Sequence, residues 1–133
     1  LKGRVDKRPA ELVDVYPTLL SAAGIEIPEY AHGENLISEK AIRAANFCGL
    51  HERENEAAFM WRTRKYKLIL RMEPKYTSSD IIGGEFYELL QDPNEWEDLY
   101  GNKEIAGKQE QMTQELLAHL KLLKKFPPLE LMQ

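Results

Sequence analysis

The sequence predicts an α+β fold: a small antiparallel sheet of three to four strands, packed by a long C-terminal helix and preceded by a short helix. Apolar and polar residues alternate over residues 59–72 and again over 85–90, which is the period of half-buried strands. From about residue 103, apolar residues recur at the three-, four- and seven-residue spacings of an amphipathic helix. A helix of this kind is expected to cover one face of the sheet.

The first predicted element is a short helix from about Asp14 to Gly24. Asp14 is placed to cap the first turn, and Pro17 is tolerated there because first-turn amides have no intrahelical partner. Gly24 suits the left-handed position that follows a helix. Because apolar residues lie nearly all round this helix, we expect it to be buried on every side, partly by protein outside this chain.

Four segments account for the predicted sheet and its edges. We expect a weak strand over residues 41–47 and an exposed polar loop over 49–56. Two alternating runs then meet at Arg64 and Lys65, which predicts a β-hairpin. A further strand is expected over residues 85–90.

The segment after the last strand has the signature of a helix start. Residues 92–95 read Asp-Pro-Asn-Glu, with aspartate at the N-cap, proline at the first helical position and glutamate at the third. We therefore predict a helical turn there, with Trp96 and Leu99 folding back onto the sheet. The long helix is expected from Lys103 to Phe126, with an apolar stripe formed by Ile105, Met112, Leu116, Leu120 and Leu123.

Composition and charge narrow the function classes. The chain is 43% hydrophobic and 30% charged, as in globular proteins, and its single cysteine excludes a disulfide framework or a multi-cysteine metal site. Residues 61–75 carry six basic residues and one acid, whereas residues 76–100 carry seven acids and no Lys or Arg. Adjacent blocks of opposite charge favour strands that neutralise each other and disfavour nucleic-acid binding. No apolar run is long enough to span a bilayer.

Few residues offer chemistry. Cys48 lies three residues before His51, but a lone cysteine at a strand end is more often a small buried apolar residue than a nucleophile. His32 and His119 lack the spacing of a metal site, so we expect no catalytic and no metal-ligating residue here.

An anionic ligand is the remaining possibility. His51, Arg53 and Arg64 lie in or next to segments predicted to be exposed, and arginine offers two parallel hydrogen bonds to sulfate, phosphate or carboxylate. They are our candidate substrate-binding residues. The alternative is that these side chains are simply solvated or paired with the acidic strand.

Four stretches resemble sulfatases, in order and in spacing. Residues 11–28, ELVDVYPTLLSAAGIEIP, resemble the family's V-D-(apolar)-x-P-T-L-L-x-x-A-G-(apolar)-x-x-P segment, and HGENL at 32–36 resembles the G-x-(S/N)-L that follows it. WRTRKYKLI at 61–69 is similar to R-T-x-x-(Y/W)-K-(apolar)-I. FYELLQDPNEWEDL at 86–99 is similar to E-L-Y-D-L-x-x-D-P-x-E-x-x-N-L, with Leu90 and Asp98 as departures that leave the subfamily open.

The resemblance implies the C-terminal fragment of an arylsulfatase-type enzyme of the alkaline phosphatase superfamily. Such enzymes hydrolyse sulfate esters with a calcium ion and a formylglycine nucleophile made from Cys or Ser in C/S-x-P/A-x-R. Cys48 is followed by Gly-Leu-His-Glu and lacks that motif. Calcium, formylglycine and the catalytic residues are therefore expected in the parent enzyme, upstream of Leu1, and the fragment is expected to be inactive.

The resemblance also implies a domain organisation. Residues 1–30 correspond to the end of the large α/β domain, 31–40 to a linker, 41–126 to the C-terminal subdomain and 127–133 to a tail. Loop 49–56 is then expected to rim the substrate pocket.

Partners and compartment follow from the same likeness. The expected partners are the upstream catalytic domain and a sulfated small molecule or glycan, with a homodimer of the fragment through helix 15–23 as a further expectation. The resemblance implies an exported parent, whether periplasmic, secreted or lysosomal. Two alternatives stay open: a stand-alone α+β interaction module, and the tail of a phosphodiesterase or phosphonate hydrolase of the same superfamily.

Overall fold

The chain forms two compact units, residues 1–46 and residues 47–133. The structure is a computed structural model that describes residues 3, 8–38, 44–53, 56–73, 75 and 77–123, with the backbone alone at 50–53 and 123. Parts of our predictions on 41–43, 54–55 and 124–133 lie outside the described residues. The first unit carries the short helix, and the second carries almost all of the sheet and the long helix.

The short helix of the first unit is confirmed. A 3₁₀ helix, Leu12–Asp14, leads into α1, Val15–Ala22. Gly24 follows with a φ of 71°, the left-handed conformation predicted for it, and Pro17 is fully buried in the first turn. The helix therefore starts and stops for the local reasons visible in the sequence.

Asp14 does not cap α1 as predicted. Its carboxylate is fully buried and accepts hydrogen bonds from the amides of Glu11 at 2.7 Å and Glu34 at 2.8 Å. One oxygen serves each amide, so the carboxylate ties the following loop to the start of the helix. A distant backbone amide has taken the oxygen that a local cap would use, because buried N–H groups must find acceptors.

Further polar contacts hold the loop of the first unit against α1. The hydroxyl of Thr18 accepts from the Leu36 amide at 3.0 Å, and Asn35 Nδ2 donates to Ser21 Oγ at 2.8 Å. Gly33 passes so close to the helix that a Cβ there would lie 2.1 Å from the carbonyl oxygen of Val13. The first unit is thus organised around polar contacts.

The second unit is built on a four-stranded sheet in the order β1-β2-β3-β4. The strands are β1 Asn46–Arg53, β2 Glu56–Arg62, β3 Tyr66–Met72 and β4 Ile81–Glu88, and β2–β3 and β3–β4 are antiparallel. The predicted hairpin is confirmed, with Arg62 opposite Lys67 at its closed end.

The bounds of β1, β2 and β4 differ from the prediction. Residues 44 and 45, expected in a strand over 41–47, precede β1, and β4 ends at Glu88 rather than at residue 90. Residues 49–56 were expected to be a loop, but β1 extends to Arg53 and β2 begins at Glu56. An edge strand can carry polar residues on its exposed side, so polarity alone did not exclude a strand. At the other edge, β4 begins at Ile81 rather than Glu85, since the glycine pair predicted as a turn lies within the ladder.

The core of the second unit lies between the sheet and helix α2, Ala106–Leu123. The predicted apolar stripe is confirmed at Met112, Leu116 and Leu120, which are buried against the inward face of β3 and β4. That face contributes Leu68, Leu70, Met72 and Phe86, each with no exposed surface. Burying a side chain of this size contributes about 1.5–3 kcal/mol. No helix among the described residues has the length and apolar character needed to cross a membrane.

The segment between β4 and α2 does not form the predicted helical turn. Glu95 has a φ of 59°, which is incompatible with a right-handed helix, and Asp92 Oδ2 accepts from the Glu97 amide at 2.9 Å to close a turn. Trp96 is 82% exposed, so its predicted return to the sheet is wrong. Leu99 does pack against the core.

The outer edge of β4 explains why a turn replaces the helix. The amide of Leu99 donates to the Phe86 carbonyl at 2.8 Å, and the Phe86 amide donates to Asp98 Oδ1 at 2.9 Å. Tyr100 then packs on Gly84, where a Cβ would lie 2.5 Å from the Tyr100 ring and 2.6 Å from the Ile69 carbonyl oxygen. Pairing with an otherwise open strand edge outweighs the local helix signal.

Candidate functional site

Most of the cations on the sheet are already paired with carboxylates. Adjacent elements supply the opposite charges, as the sequence predicted. The pairs are Lys65–Glu88 at 3.3 Å, Lys67–Glu95 at 2.5 Å and Arg71–Glu85 at 2.6 Å. These three basic side chains are therefore held by carboxylates of the fold.

The carboxylate of Glu85 is also fully used. One oxygen accepts from Arg71, and the other accepts from the Tyr87 hydroxyl at 2.9 Å. The hydrogen bond to Glu85 raises the pKa of Tyr87 to about 12, because it stabilises the protonated phenol. These contacts stabilise the sheet, and the Tyr87 phenol stays protonated near neutral pH.

The tip of the β2–β3 hairpin is different. Arg62 ends β2 and Arg64 lies in the turn, and both side chains are exposed. Neither side chain has an ion pair or hydrogen bond with any residue that the structure describes. The sequence analysis singled out Arg64 but missed Arg62; the Arg-Thr-Arg spacing across the turn was the available signal.

Thr63 fixes the conformation of this tip. Its hydroxyl accepts from the amides of Lys65 at 3.3 Å and Tyr66 at 2.9 Å, while its own amide donates to the Tyr66 carbonyl at 2.9 Å. The Lys65 carbonyl in turn accepts from the Leu89 amide at 2.8 Å. The turn backbone is therefore held from two sides.

The other two candidates lie on strand β1. The backbone places His51 and Arg53 near its end, and their side chains lie outside the described residues. Because β1 and β2 are neighbours joined by only two residues, they run antiparallel, with Arg53 beside the start of β2. Arg64 follows the end of β2, roughly 20 Å away along the strand. The structure does not bring Arg53 and Arg64 to the same end of the sheet.

The remaining reactive residue types have no shared site. Cys48 is a free, exposed thiol on β1, so its predicted burial is wrong. His119 lies on α2 with its ring centroid 4.7 Å from that of Phe47 and 5.1 Å from that of Trp61. Within the part of the chain that is described, no group of three or more His, Cys, Asp or Glu residues is arranged to hold a metal ion.

An antiparallel sheet packed by one long helix, following a separate short-helix unit, is the arrangement expected for the C-terminal end of a sulfatase. The chain matches the family described as N-sulphoglucosamine sulphohydrolase, C-terminal, over residues 2–122, and it belongs to that family. Arylsulfatase K of Bos taurus is 28% identical over 129 residues, which is 87% of this chain and 22% of that protein.

Solved structures share the fold. One is BT4656 in complex with its substrate D-glucosamine-2-N,6-O-disulfate, with a TM-score of 0.67 and 28% identity over 88% of this chain and 25% of that one. The phosphonate monoester hydrolase of Agrobacterium radiobacter has a TM-score of 0.69 at 17% identity, over 86% of this chain and 25% of its own, a likeness of fold alone. The chain thus spans about a quarter of these relatives.

Proposed function

We propose that this chain is the C-terminal part of a sulfuric ester hydrolase and that the reacting groups lie in the rest of that protein. The family match over residues 2–122 carries the proposal. The match covers only 22% of the length of arylsulfatase K, which is too little to contain a whole enzyme of that kind. This small coverage supports the proposal. Membership of an enzyme family also argues against a stand-alone interaction module.

Three of the described carboxylates have structural uses, and no group of three or more His, Cys, Asp or Glu residues in the described part of the chain is arranged to hold calcium. Asp14 and Asp98 each accept two backbone amides, and Glu85 is shared between Arg71 and Tyr87. Calcium needs several oxygen ligands converging on one point, and none of these groups converges with another. In our proposal, calcium and the formylglycine nucleophile belong to the rest of the protein.

The first unit is proposed to pack against the large catalytic domain. Its apolar side chains lie outside rather than inside: Leu12 is 88% exposed, Leu19 64% and Tyr30 63%. Several large exposed apolar side chains in one small unit support a surface that another part of the protein covers. Helix α1 would be buried on its outer side there, as its all-round apolar composition requires.

The proposal is tested by assaying the 133-residue chain alone and joined to its natural upstream region. We expect aryl sulfate hydrolysis only from the joined protein. Turnover by the isolated chain, or none by the joined protein, would contradict the proposal. The likeness to the phosphonate monoester hydrolase supports a second candidate, an ester hydrolase of phosphonates. A higher kcat/KM for an aryl phosphonate than for the matching aryl sulfate would favour that second candidate.

We further propose that His51, Arg53 and Arg64 meet the anionic substrate of the whole enzyme. Because Arg53 and Arg64 lie at opposite ends of β2, their contributions are tested separately. Neutralising His51 and Arg53 together is expected to raise KM by about 3- to 10-fold, the effect of losing one or two exposed charge contacts, with kcat unchanged. Unchanged kinetics in the double variant would remove these two residues from the proposal.

A further inference from the structure

The tip of the β2–β3 hairpin carries two exposed arginines, Arg62 and Arg64. We propose that Arg62 and Arg64 together bind a sulfate group of a sulfated sugar; the identity of the ligand rests on the proposed function above. Neighbouring basic side chains differ in whether they have a carboxylate partner. Lys65, Lys67 and Arg71 each hold a carboxylate at 3.3 Å or less, whereas Arg62 and Arg64 hold none among the described residues.

Hydrogen bonds hold the backbone of the tip in one conformation. Thr63 fixes the turn through its hydroxyl and its amide, and Leu89 ties the turn to the end of β4. Tyr66, at the base of the turn, stacks on Phe86 with ring centroids 5.6 Å apart. A preorganised backbone lowers the entropy lost on binding, so two arginines here can bind more tightly than two on a mobile loop.

The type of residue favours an oxyanion, and the proposed function makes sulfate the expected one. Arginine presents a planar fork of donors that matches two oxygens of a sulfate, and two forks on either side of Thr63 can share one group or take two. Lys65, which follows Arg64 in the same turn, keeps its charge because its bonds to Tyr66 and Glu88 raise its pKa. The tip is therefore cationic throughout the physiological range.

The surroundings favour a short sulfated sugar over a long polyanion. The acidic block over residues 76–100 begins beside the tip with Glu88, which Lys65 holds at 3.3 Å, and continues along β4 to Glu85. A nucleic acid that followed the sheet would meet this row of carboxylates, whereas a short sugar at Arg62 and Arg64 need not reach Glu85. The expected ligand is therefore a short sugar that carries one or two sulfate groups.

Binding of a sulfated glucosamine disaccharide to the 133-residue chain tests this site, measured by calorimetry at low and at physiological salt. Arg62→Ala and Arg64→Ala are each expected to weaken Kd by about 3- to 10-fold, as for one exposed charge-assisted contact. Lys103→Ala removes an equally exposed cation on another element and is expected to leave Kd unchanged. Equal losses from all three variants would show general charge attraction and overturn the site.

Two further sets of binding measurements test the identity of the ligand and the need for the arginine fork. Arg62→Lys and Arg64→Lys keep the charge but lose the fork, so each is expected to recover only part of the affinity. The unsulfated disaccharide should not bind, and single-stranded RNA should bind more weakly than the sulfated disaccharide; tighter RNA binding would overturn the choice of ligand. Binding by the chain is independent of turnover, so an inactive joined protein would refute the proposed function and leave this site standing.

Discussion

The two units of this chain differ in which side chains they bury and which they expose. In the second unit, Leu68 and Phe86 are fully buried and the charges lie outside. In the first unit, the fully buried groups include a carboxylate, Asp14, while Leu12 and Leu19 are 88% and 64% exposed. A unit whose apolar residues face outward gains little from the hydrophobic effect by itself. We therefore expect the second unit to be the more stable one by itself, and our proposal has the first unit covered by another part of the protein.

The largest expected difference between the two units is in how much stability each loses when a leucine is replaced by alanine. Leu68→Ala should lower the free energy of unfolding by about 2–5 kcal/mol, because it leaves a cavity in a closed core. Leu19→Ala should change it by less than about 0.5 kcal/mol, because that side chain is exposed in this chain. Denaturant titration of both variants is the measurement. Equal losses would end the distinction between the units.

Two neighbouring glycines sharpen the account of the second unit. Gly84→Ala is expected to cost about 1–3 kcal/mol, because a Cβ there would lie 2.5 Å from the Tyr100 ring and 2.6 Å from a carbonyl oxygen. Gly83→Ala is the matched control, since a Cβ at Gly83 meets nothing within 4 Å. Thermal unfolding compares the two. A Gly84→Ala variant as stable as Gly83→Ala would contradict the packing of Tyr100 on β4.

The polar centre of the first unit is tested at Asp14. Asp14→Asn keeps the shape but leaves only one accepting oxygen for two amides, so about 1–2 kcal/mol of local stability should be lost. Hydrogen exchange should speed up at the Glu11 and Glu34 amides and remain unchanged at Leu70 in the core of the second unit. Equal acceleration in both units would mean that they unfold together.

The smallest expected effect is a titration. Tyr87 should ionise near pH 12, whereas its ordinary pKa is 10.0. A folded-state pKa above the unfolded one contributes stability below pH 10, and that contribution is lost as the pH rises towards 12. Ultraviolet absorbance of the phenolate follows the titration. Glu85→Gln should bring the pKa of Tyr87 back towards 10.0, and an unchanged value would exclude Glu85 as the cause.

The spacing of apolar residues along the sequence predicted the elements that depend on neighbouring residues. The alternation around Arg64 predicted the hairpin, and the spacing of Met112, Leu116 and Leu120 predicted the buried face of α2. The opposite charges of neighbouring blocks predicted the ion pairs on the sheet. The likeness of four stretches to sulfatases predicted the family, which covers residues 2–122.

The predictions that the structure shows to be wrong share a cause. Asp14 and residues 92–95 carry sound helix-capping signals, yet the Asp14 carboxylate is used by Glu34, 20 residues away, and the Glu95 carboxylate by Lys67, 28 residues away. Residues 49–53 appeared too polar for a strand, but an edge strand tolerates polarity. In these cases tertiary pairing outweighed the local preference.

The sequence by itself determined the periodic elements, the charge pairing and the family, because each depends on residues that are close together or on motifs kept in order. Only the tertiary structure decided that Asp14 ties a loop, that Trp96 faces solvent, and that Arg53 and Arg64 lie at opposite ends of β2. Those outcomes depend on which backbone groups and strand edges remain unpaired once the chain has folded, and such groups are satisfied by whatever the fold brings near them.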